Sequence, residues 1–180
     1  MINALHKLTE SMRAKVQLMV GRAILSAVSD GAAIQTVQAR MLADEVLDDV
    51  ERIQQYGFTS VPLPGAEGVV VLVGGNRDHG LVIATDDRRY RLTGLPGGEV
   101  AIYDDLGQKV HLTRTGIVVN GAGHPVTITN TPAVRMETTL LVTGDIKDNC
   151  DGAGKTMAAM RSIFNGHGHP GAPGAPTSTM

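Results

Sequence analysis

Gly68-Val69-Val70-Val71-Leu72-Val73 decides the fold, because it is an uninterrupted apolar run of strand length. Its valines favour extended backbone, and the prolines and glycines on either side mark turns. Further β-like runs flank it over residues 20–28, 33–42, 50–60 and 79–85. Five short strands in such a span predict a small Greek-key barrel of the OB type over residues 20–95.

The segment before the barrel, residues 1–19, has the periodicity of an amphipathic helix. Apolar residues recur at spacings of three and four, at Ile2, Leu5, Leu8, Met12, Val16 and Met19. Charged side chains interrupt this segment, so we do not expect it to be a signal peptide. The longest apolar run is too short to span a bilayer, which favours a soluble protein made in the cytoplasm.

A second β region is predicted over residues 96–164. Short strands are expected at residues 99–103, 109–113, 116–120, 126–130 and 134–143, and a short helix at 155–164. No helix signal interrupts residues 96–146, which excludes a βαβ unit. Aromatic residues make up only 3% of the chain, too few bulky side chains for a monomeric sandwich. An intertwined homotrimeric β-helix needs only one inward face per chain, and it pairs every edge strand with a neighbour.

Charge and cysteine content exclude other classes of protein. The formal net charge is −2, so the chain lacks the basic character of a nucleic-acid-binding protein. The single cysteine, Cys150, excludes an intramolecular disulfide framework.

The motif Asn165-Gly166-His167-Gly168-His169-Pro170-Gly171 predicts a metal site within the final segment, residues 165–180. In extended backbone, His167 and His169 can face one point, and Gly168 permits close approach. One chain supplies too few ligands for a stable site. Three chains would supply six nitrogens, an octahedral set suited to iron or nickel rather than to tetrahedral zinc. The alternative is an unstructured histidine-containing tail.

Other motifs give little support for catalysis or ligand binding. Gly154-Lys155-Thr156 resembles the end of a P-loop, but Asn149 stands where the first glycine is required. Asp145, Asp148 and Asp151 are interpreted as a solvated acidic turn rather than a cation site.

The remaining histidines and paired acids suggest no catalytic site either. His79, His111 and His124 are expected to be single surface histidines. The acidic pairs Asp86-Asp87 and Asp104-Asp105 lie in predicted turns and lack a hydrophobic pocket. We therefore predict that the chain is not an enzyme.

The order of these parts, with Val142-Thr143-Gly144-Asp145-Ile146 followed by the Gly-His-Gly-His-Pro-Gly segment, resembles the phage baseplate assembly protein V family. It is most similar to the central spikes of Mu-like phages, and the resemblance covers nearly the whole chain. The helical insert at residues 155–164 departs from that pattern.

The resemblance implies an all-β homotrimer that tapers to a metal-bound apex, where His167 and His169 of three chains hold one iron ion. It implies a location at the tip of the virion tail baseplate, with baseplate hub and tail tube proteins as partners. On sheath contraction such a spike is driven through the host outer membrane. The alternative is a trimeric β-fibre adhesin or secretion-type spike with a disordered histidine-containing tail.

Overall fold

The computed structural model describes residues 9–10, 12–13, 16, 19–42 and 45–168. The chain divides into two compact units, Met1–Val126 and Thr127–Met180, which are described separately. Within the predicted N-terminal helix, the described residues Thr9, Glu10, Met12, Arg13 and Val16 are helical. The other residues of segment 1–18 lie outside the described residues.

The first unit contains the predicted barrel. Its strands are β1 (Val20–Ser29), β2 (Thr36–Arg40), β3 (Val46–Arg52), β4 (Glu67–Leu72) and β5 (Gly80–Asp86). They close in the order β1-β2-β3-β5-β4, in which only the β3–β5 pair is parallel. The expectation of an all-β, OB-like barrel is therefore confirmed.

Alternation along the strands builds the barrel interior. On β4, Val70 and Leu72 point inward, and Leu25 of β1 and Val82 of β5 meet them in a core made of small and aliphatic side chains. Gly68 occupies an inward position where a Cβ atom would lie 3.3 Å from the Leu25 side chain. A narrow barrel is thus filled without aromatic residues, which explains how so few of them suffice.

Strand β3 departs from the prediction of residues 50–60, because it begins at Val46 and ends at Arg52. Asp49 has a φ of 53°, and the β2–β3 register shifts near it. Leu47 and Val50 both pack on the core despite a spacing of three. This bulge interrupts the alternation of apolar and polar residues, so the first half of the strand cannot be recognised from the sequence. Residues 53–63 form a loop instead.

A three-stranded antiparallel sheet follows the barrel. Its strands β6 (Val100–Tyr103), β7 (Lys109–Leu112) and β8 (Ile117–Asn120) form a meander. The β6–β7 turn is stabilised by Asp104, whose Oδ1 accepts hydrogen bonds from the backbone N–H groups of Leu106 at 3.0 Å and Gln108 at 2.8 Å. All three strands agree with the sequence-based expectation.

The predicted strands at residues 126–130 and 134–143 are wrong for the single chain, since no described residue from 121 to 146 belongs to a strand. A strand requires a partner for its backbone N–H and C=O groups, and none of the described strands pairs with this segment. The predicted helix is confirmed as α1 (Met157–Gly166). The intertwined trimer and the domain boundaries stay predictions.

Candidate functional site

The segment that leads to the histidine motif is fixed by the start of helix α1. Thr156 is the N-cap residue, and its side chain accepts a hydrogen bond from the Ala159 N–H at 3.1 Å. Lys147 pairs with Thr156 in an antiparallel bridge, and the Met157 N–H donates to the Ile146 carbonyl at 2.8 Å. The residues that resembled a P-loop therefore serve as a helix cap.

Asp145 strengthens the same junction. Its carboxylate accepts a hydrogen bond from the Thr156 side chain, and its Oδ1 accepts from the backbone N–H groups of Ala158 at 3.2 Å and Ile146 at 2.9 Å. These bonds, that of Thr156 foremost, hold the pKa of Asp145 below its ordinary value of 3.8. A negative charge at the N-terminus of α1 is also favoured by the helix dipole.

His167 lies directly after α1, as its C-cap residue. Its ring Nδ1–H donates to the backbone carbonyl of Phe164, and its backbone N–H donates to the same oxygen at 3.4 Å. The imidazole also lies against the Phe164 ring, with centroids 5.2 Å apart. Because a carbonyl can only accept, this contact assigns the proton to Nδ1 and the lone pair to Nε2.

This geometry fits a metal-ligating histidine, because such residues usually donate their second ring N–H to a carbonyl or carboxylate. His169, the second predicted ligand, lies outside the described residues. Among the residues that the structure describes, no group of three or more His, Cys, Asp or Glu side chains converges on one point. Any metal held by His167 would therefore need protein ligands from outside the described residues, such as His169, or from other chains.

The acidic turn before α1 is exposed, as expected for Asp145, Asp148 and Asp151. Asp148 accepts a hydrogen bond from the Lys155 N–H at 2.8 Å. These carboxylates thus shape the loop before the helix.

The sheet β6–β8 presents a continuous apolar surface. Facing pairs across its strands join Val100 to Leu112, Ile102 to Val110, and Leu112 to Ile117. Directly opposed residues lie on one side of a sheet, so this side, called here the apolar sheet face, consists of Val100, Ile102, Val110, Leu112, Ile117 and Val119. Their exposed fractions range from 39% to 71%. Within the described chain, β6 and β8 are open edges.

The opposite side of this sheet contains a pair that the sequence did not predict. His111 was expected to be a single surface histidine, yet its Nε2 lies 2.8 Å from Oε2 of Glu99, and both side chains are largely buried. The other Glu99 carboxylate oxygen accepts the Arg114 N–H at 3.0 Å. Glu99 and His111 are twelve positions apart in the sequence, and the register of the β6–β7 hairpin brings them together. His79 and His124 are exposed, as expected.

A buried arginine is the other feature that the sequence did not predict. Arg52 is only 7% exposed, and it donates to Gln35 Oε1 and the Ser60 carbonyl at 2.7 Å, to Ser60 Oγ at 2.9 Å and to Thr85 Oγ1 at 2.7 Å. Burial lowers the pKa of its guanidinium, and the negative charge of Asp30 opposes that shift. The sequence did contain one indication of this burial: Arg52 lies two residues after Val50, so on a strand both side chains point toward the core.

No helix within the described ranges is long and apolar enough to cross a membrane. The expectation that the two acidic pairs lack a hydrophobic pocket is wrong, because both pairs line one cleft with Val61, Pro62 and Leu63. Within it Asp87 binds Arg89 and Asp104 closes a turn.

Comparison with known proteins shows that the barrel resembles a known family. Residues 22–89 match the family described as Bacteriophage Mu Gp45, N-terminal. The chain is 43% identical over 114 residues to the baseplate puncturing device gp45 of Escherichia phage Mu, across 63% of this chain and 58% of that protein. It is 40% identical over 115 residues to the Mu-like prophage FluMu protein gp45 of Haemophilus influenzae, across 64% of this chain and 63% of that protein.

The matched part thus spans less than two thirds of each relative's length. The resemblance to the Mu-like baseplate spike family that the sequence predicted is confirmed, but over 63% to 64% of the chain rather than nearly the whole of it.

Proposed function

From this resemblance to the Mu-like baseplate spike family, we propose that the chain is the central spike of a contractile phage tail baseplate, located at the virion tail tip. Its role is structural rather than enzymatic, in agreement with the relative named a baseplate puncturing device. On sheath contraction it pierces the host outer membrane. Baseplate hub and tail tube proteins are its partners on the tail side, and assembly takes place in the host cytoplasm.

The apolar sheet face is the structural observation that supports a homotrimer. Its six side chains are on average about half exposed, and burying the remainder would contribute about 1 kcal/mol per side chain, or roughly 6 kcal/mol per chain. The open edges of β6 and β8 could pair with other chains at the same time. A homotrimer that wraps these faces around its axis would remove both the exposed apolar surface and the open edges.

The same logic extends to residues 121–146. Val126, Ile128, Val134, Met136, Leu140 and Val142 are all more than 40% exposed in the single chain. Alternation of apolar and polar residues is typical of strands with one buried face. Pairing between chains would turn this segment into the shaft of a trimeric β-helix, with no unpaired edge from which the fibre could peel under load.

A charge on the apolar sheet face tests the trimer. Ile117→Asp should convert a species of three times 18.9 kDa into monomers, as measured by light scattering after size-exclusion chromatography. Leu106→Asp is the matched control, because Leu106 is 61% exposed in the β6–β7 turn and lies off the face. If the two variants behave alike, the face is not the trimer interface.

The metal-bound apex is the second part of the proposal. His167 and His169 of three chains would hold one iron ion in octahedral coordination by six imidazoles. The tautomer of His167 set by Phe164 supports its part in such a site. At a point too narrow for an apolar core, shared ligand bonds would tie three chain segments together. Because ligating histidines must be neutral, acid below roughly pH 6 should release the metal.

Elemental analysis of the untagged protein tests the apex. We expect iron near one per three chains, lost in the double variant His167→Ala, His169→Ala and retained in His124→Ala, which removes an exposed histidine elsewhere. Absence of stoichiometric metal in an intact trimer would instead favour the second candidate, a trimeric β-fibre adhesin or secretion-type spike with a disordered tail.

Complementation of particles that lack the chain tests the role itself. Particles assembled with Leu106→Asp should carry the protein at the baseplate and infect normally, whereas Ile117→Asp should fail to be incorporated. Loss of the chain without any effect on baseplate assembly or infection would contradict a central spike.

A further inference from the structure

A cleft of about 440 Å³ lies beside the barrel, within the first unit. The loop after β3 lines it with Val61, Pro62 and Leu63, and the sheet side contributes Tyr103. Tyr90 lies at the same cleft, and both tyrosines keep about two fifths of their surface exposed. The cleft therefore combines accessible aromatic rings with apolar atoms.

Hydrogen bonds from two arginines of the barrel region hold the lining of this cleft in place. Ser60 and Thr85 are lining residues, and both receive hydrogen bonds from the buried guanidinium of Arg52. Arg89 donates to the Pro64 carbonyl at 2.9 Å and forms an ion pair with Asp87 at 2.6 Å. The barrel thus fixes the cleft before any partner arrives, which lowers the ordering entropy of binding.

The carboxylates at the cleft outnumber the two guanidinium groups next to it, those of Arg89 and Arg52. Four aspartates line it, and Asp87 is neutralised by Arg89. Asp86, Asp104 and Asp105 form no ion pair with any residue that the structure describes. Asp104 and Asp86 each accept backbone N–H bonds, which leaves their charge in place. The cleft therefore has a negative potential beside an apolar surface.

We propose that this cleft binds a segment of another protein that carries an arginine flanked by apolar side chains. The carboxylates would pair with the guanidinium. Arg89 already lies over the Tyr90 ring, so the Tyr103 ring is the one that offers a face for cation–π contact. The apolar lining would cover the flanking residues. The negative potential excludes phosphate-rich partners such as nucleic acid or an anionic membrane. This inference concerns the first unit alone and does not rest on the trimer or the metal.

Intrinsic tyrosine fluorescence of the full chain provides the assay, because the protein has no Trp and only three Tyr. Two of them line the cleft, and Tyr56→Phe removes the third, which is fully exposed. The probe is a capped, tyrosine-free hexapeptide with one arginine between two leucines. A matched peptide carries the neutral isostere citrulline in place of arginine.

We expect saturable binding of the arginine peptide, weakened at least tenfold with citrulline and at least tenfold by Asp86→Asn with Asp105→Asn. Asp104 is left unchanged because it closes the β6–β7 turn. Asp78→Asn, a change at an exposed carboxylate outside the cleft, should leave the affinity unaltered. Equal binding of the two peptides, or unaltered affinity in the double variant, overturns the proposal. A change of oligomeric state in the double variant would overturn it too, since a second copy would then be the occupant.

Discussion

Replacing Arg52 by methionine should destabilise the barrel by about 2–3 kcal/mol. The guanidinium makes four hydrogen bonds of 2.7 to 2.9 Å, and the loss of each partner has a different consequence. Gln35 is 6% exposed, so its Oε1 would be left as a buried acceptor without a donor, at a cost of about 1–3 kcal/mol.

The other acceptors lose less. The Ser60 carbonyl keeps a hydrogen bond from Gln35 Nε2 at 3.1 Å, and the hydroxyls of Ser60 and Thr85 line a cleft that water can enter. Burial opposes the charged form of Arg52, as its lowered pKa indicates, so methionine also removes a desolvation penalty. These opposing effects keep the expected loss well below the sum of four charged hydrogen bonds.

Urea unfolding of the full chain, followed by circular dichroism at one fixed protein concentration, measures this loss. Gln35→Met completes a double-mutant cycle, because the two side chains share one hydrogen bond. We expect a coupling of about 1–2 kcal/mol, with the double variant losing less than the sum of the single variants. Additive effects, or a loss below about 0.5 kcal/mol for Arg52→Met, would refute the reasoning.

Four further predictions concern the core, the helix cap and assembly. Leu25→Ala, at a fully buried position, should cost about 3 kcal/mol in urea unfolding. Thr156→Val should lower the helicity of α1 in nuclear magnetic resonance shifts by removing a cap worth about 1 kcal/mol. Because the folded pKa of Asp145 is lowered, its stabilising contribution is present above pH 3.8 and is lost as pH falls through the folded value. The protection of the Ala158 amide relative to its intrinsic exchange rate should therefore fall there, and should not fall in Asp145→Asn. If the proposed trimer forms, dilution below its dissociation constant should accelerate hydrogen exchange in β6 and β8 but not in β4.

The barrel could be predicted because its strands carry local signals. β4 is a continuous apolar run, and β1, β2 and β5 lie between clear turns, so four of the five strands appear near their observed positions. β3 was misplaced because the bulge at Asp49 interrupts the alternation on which such predictions depend. A bulge of one residue cannot be recognised from the amino-acid composition of the strand.

The polar contacts could not be predicted, because they depend on register rather than on local pattern. Glu99 and His111 meet only when β6 pairs with β7 as observed, and Arg52 reaches Gln35 and Ser60 only after the barrel closes. The histidine motif shows the opposite case. His167 was proposed as a ligand from the spacing of the motif together with the family resemblance, and that assignment stays a prediction; the structure adds the Phe164 carbonyl, which accepts from its Nδ1–H.

The two β regions of the first unit differ in whether a single chain can pair all of their strand edges and bury their apolar side chains. In the barrel every strand has two neighbours, and its core is buried without help from outside. In the β6–β8 sheet the same kind of sequence leaves two open edges and an apolar face uncovered. Folding of the barrel therefore does not require association, whereas the sheet would gain most of its burial from the proposed trimer. The barrel of each copy would therefore form first. In the proposed trimer, folded barrels would hold the sheet strands of three copies close together, which would lower the entropic cost of assembling an intertwined shaft.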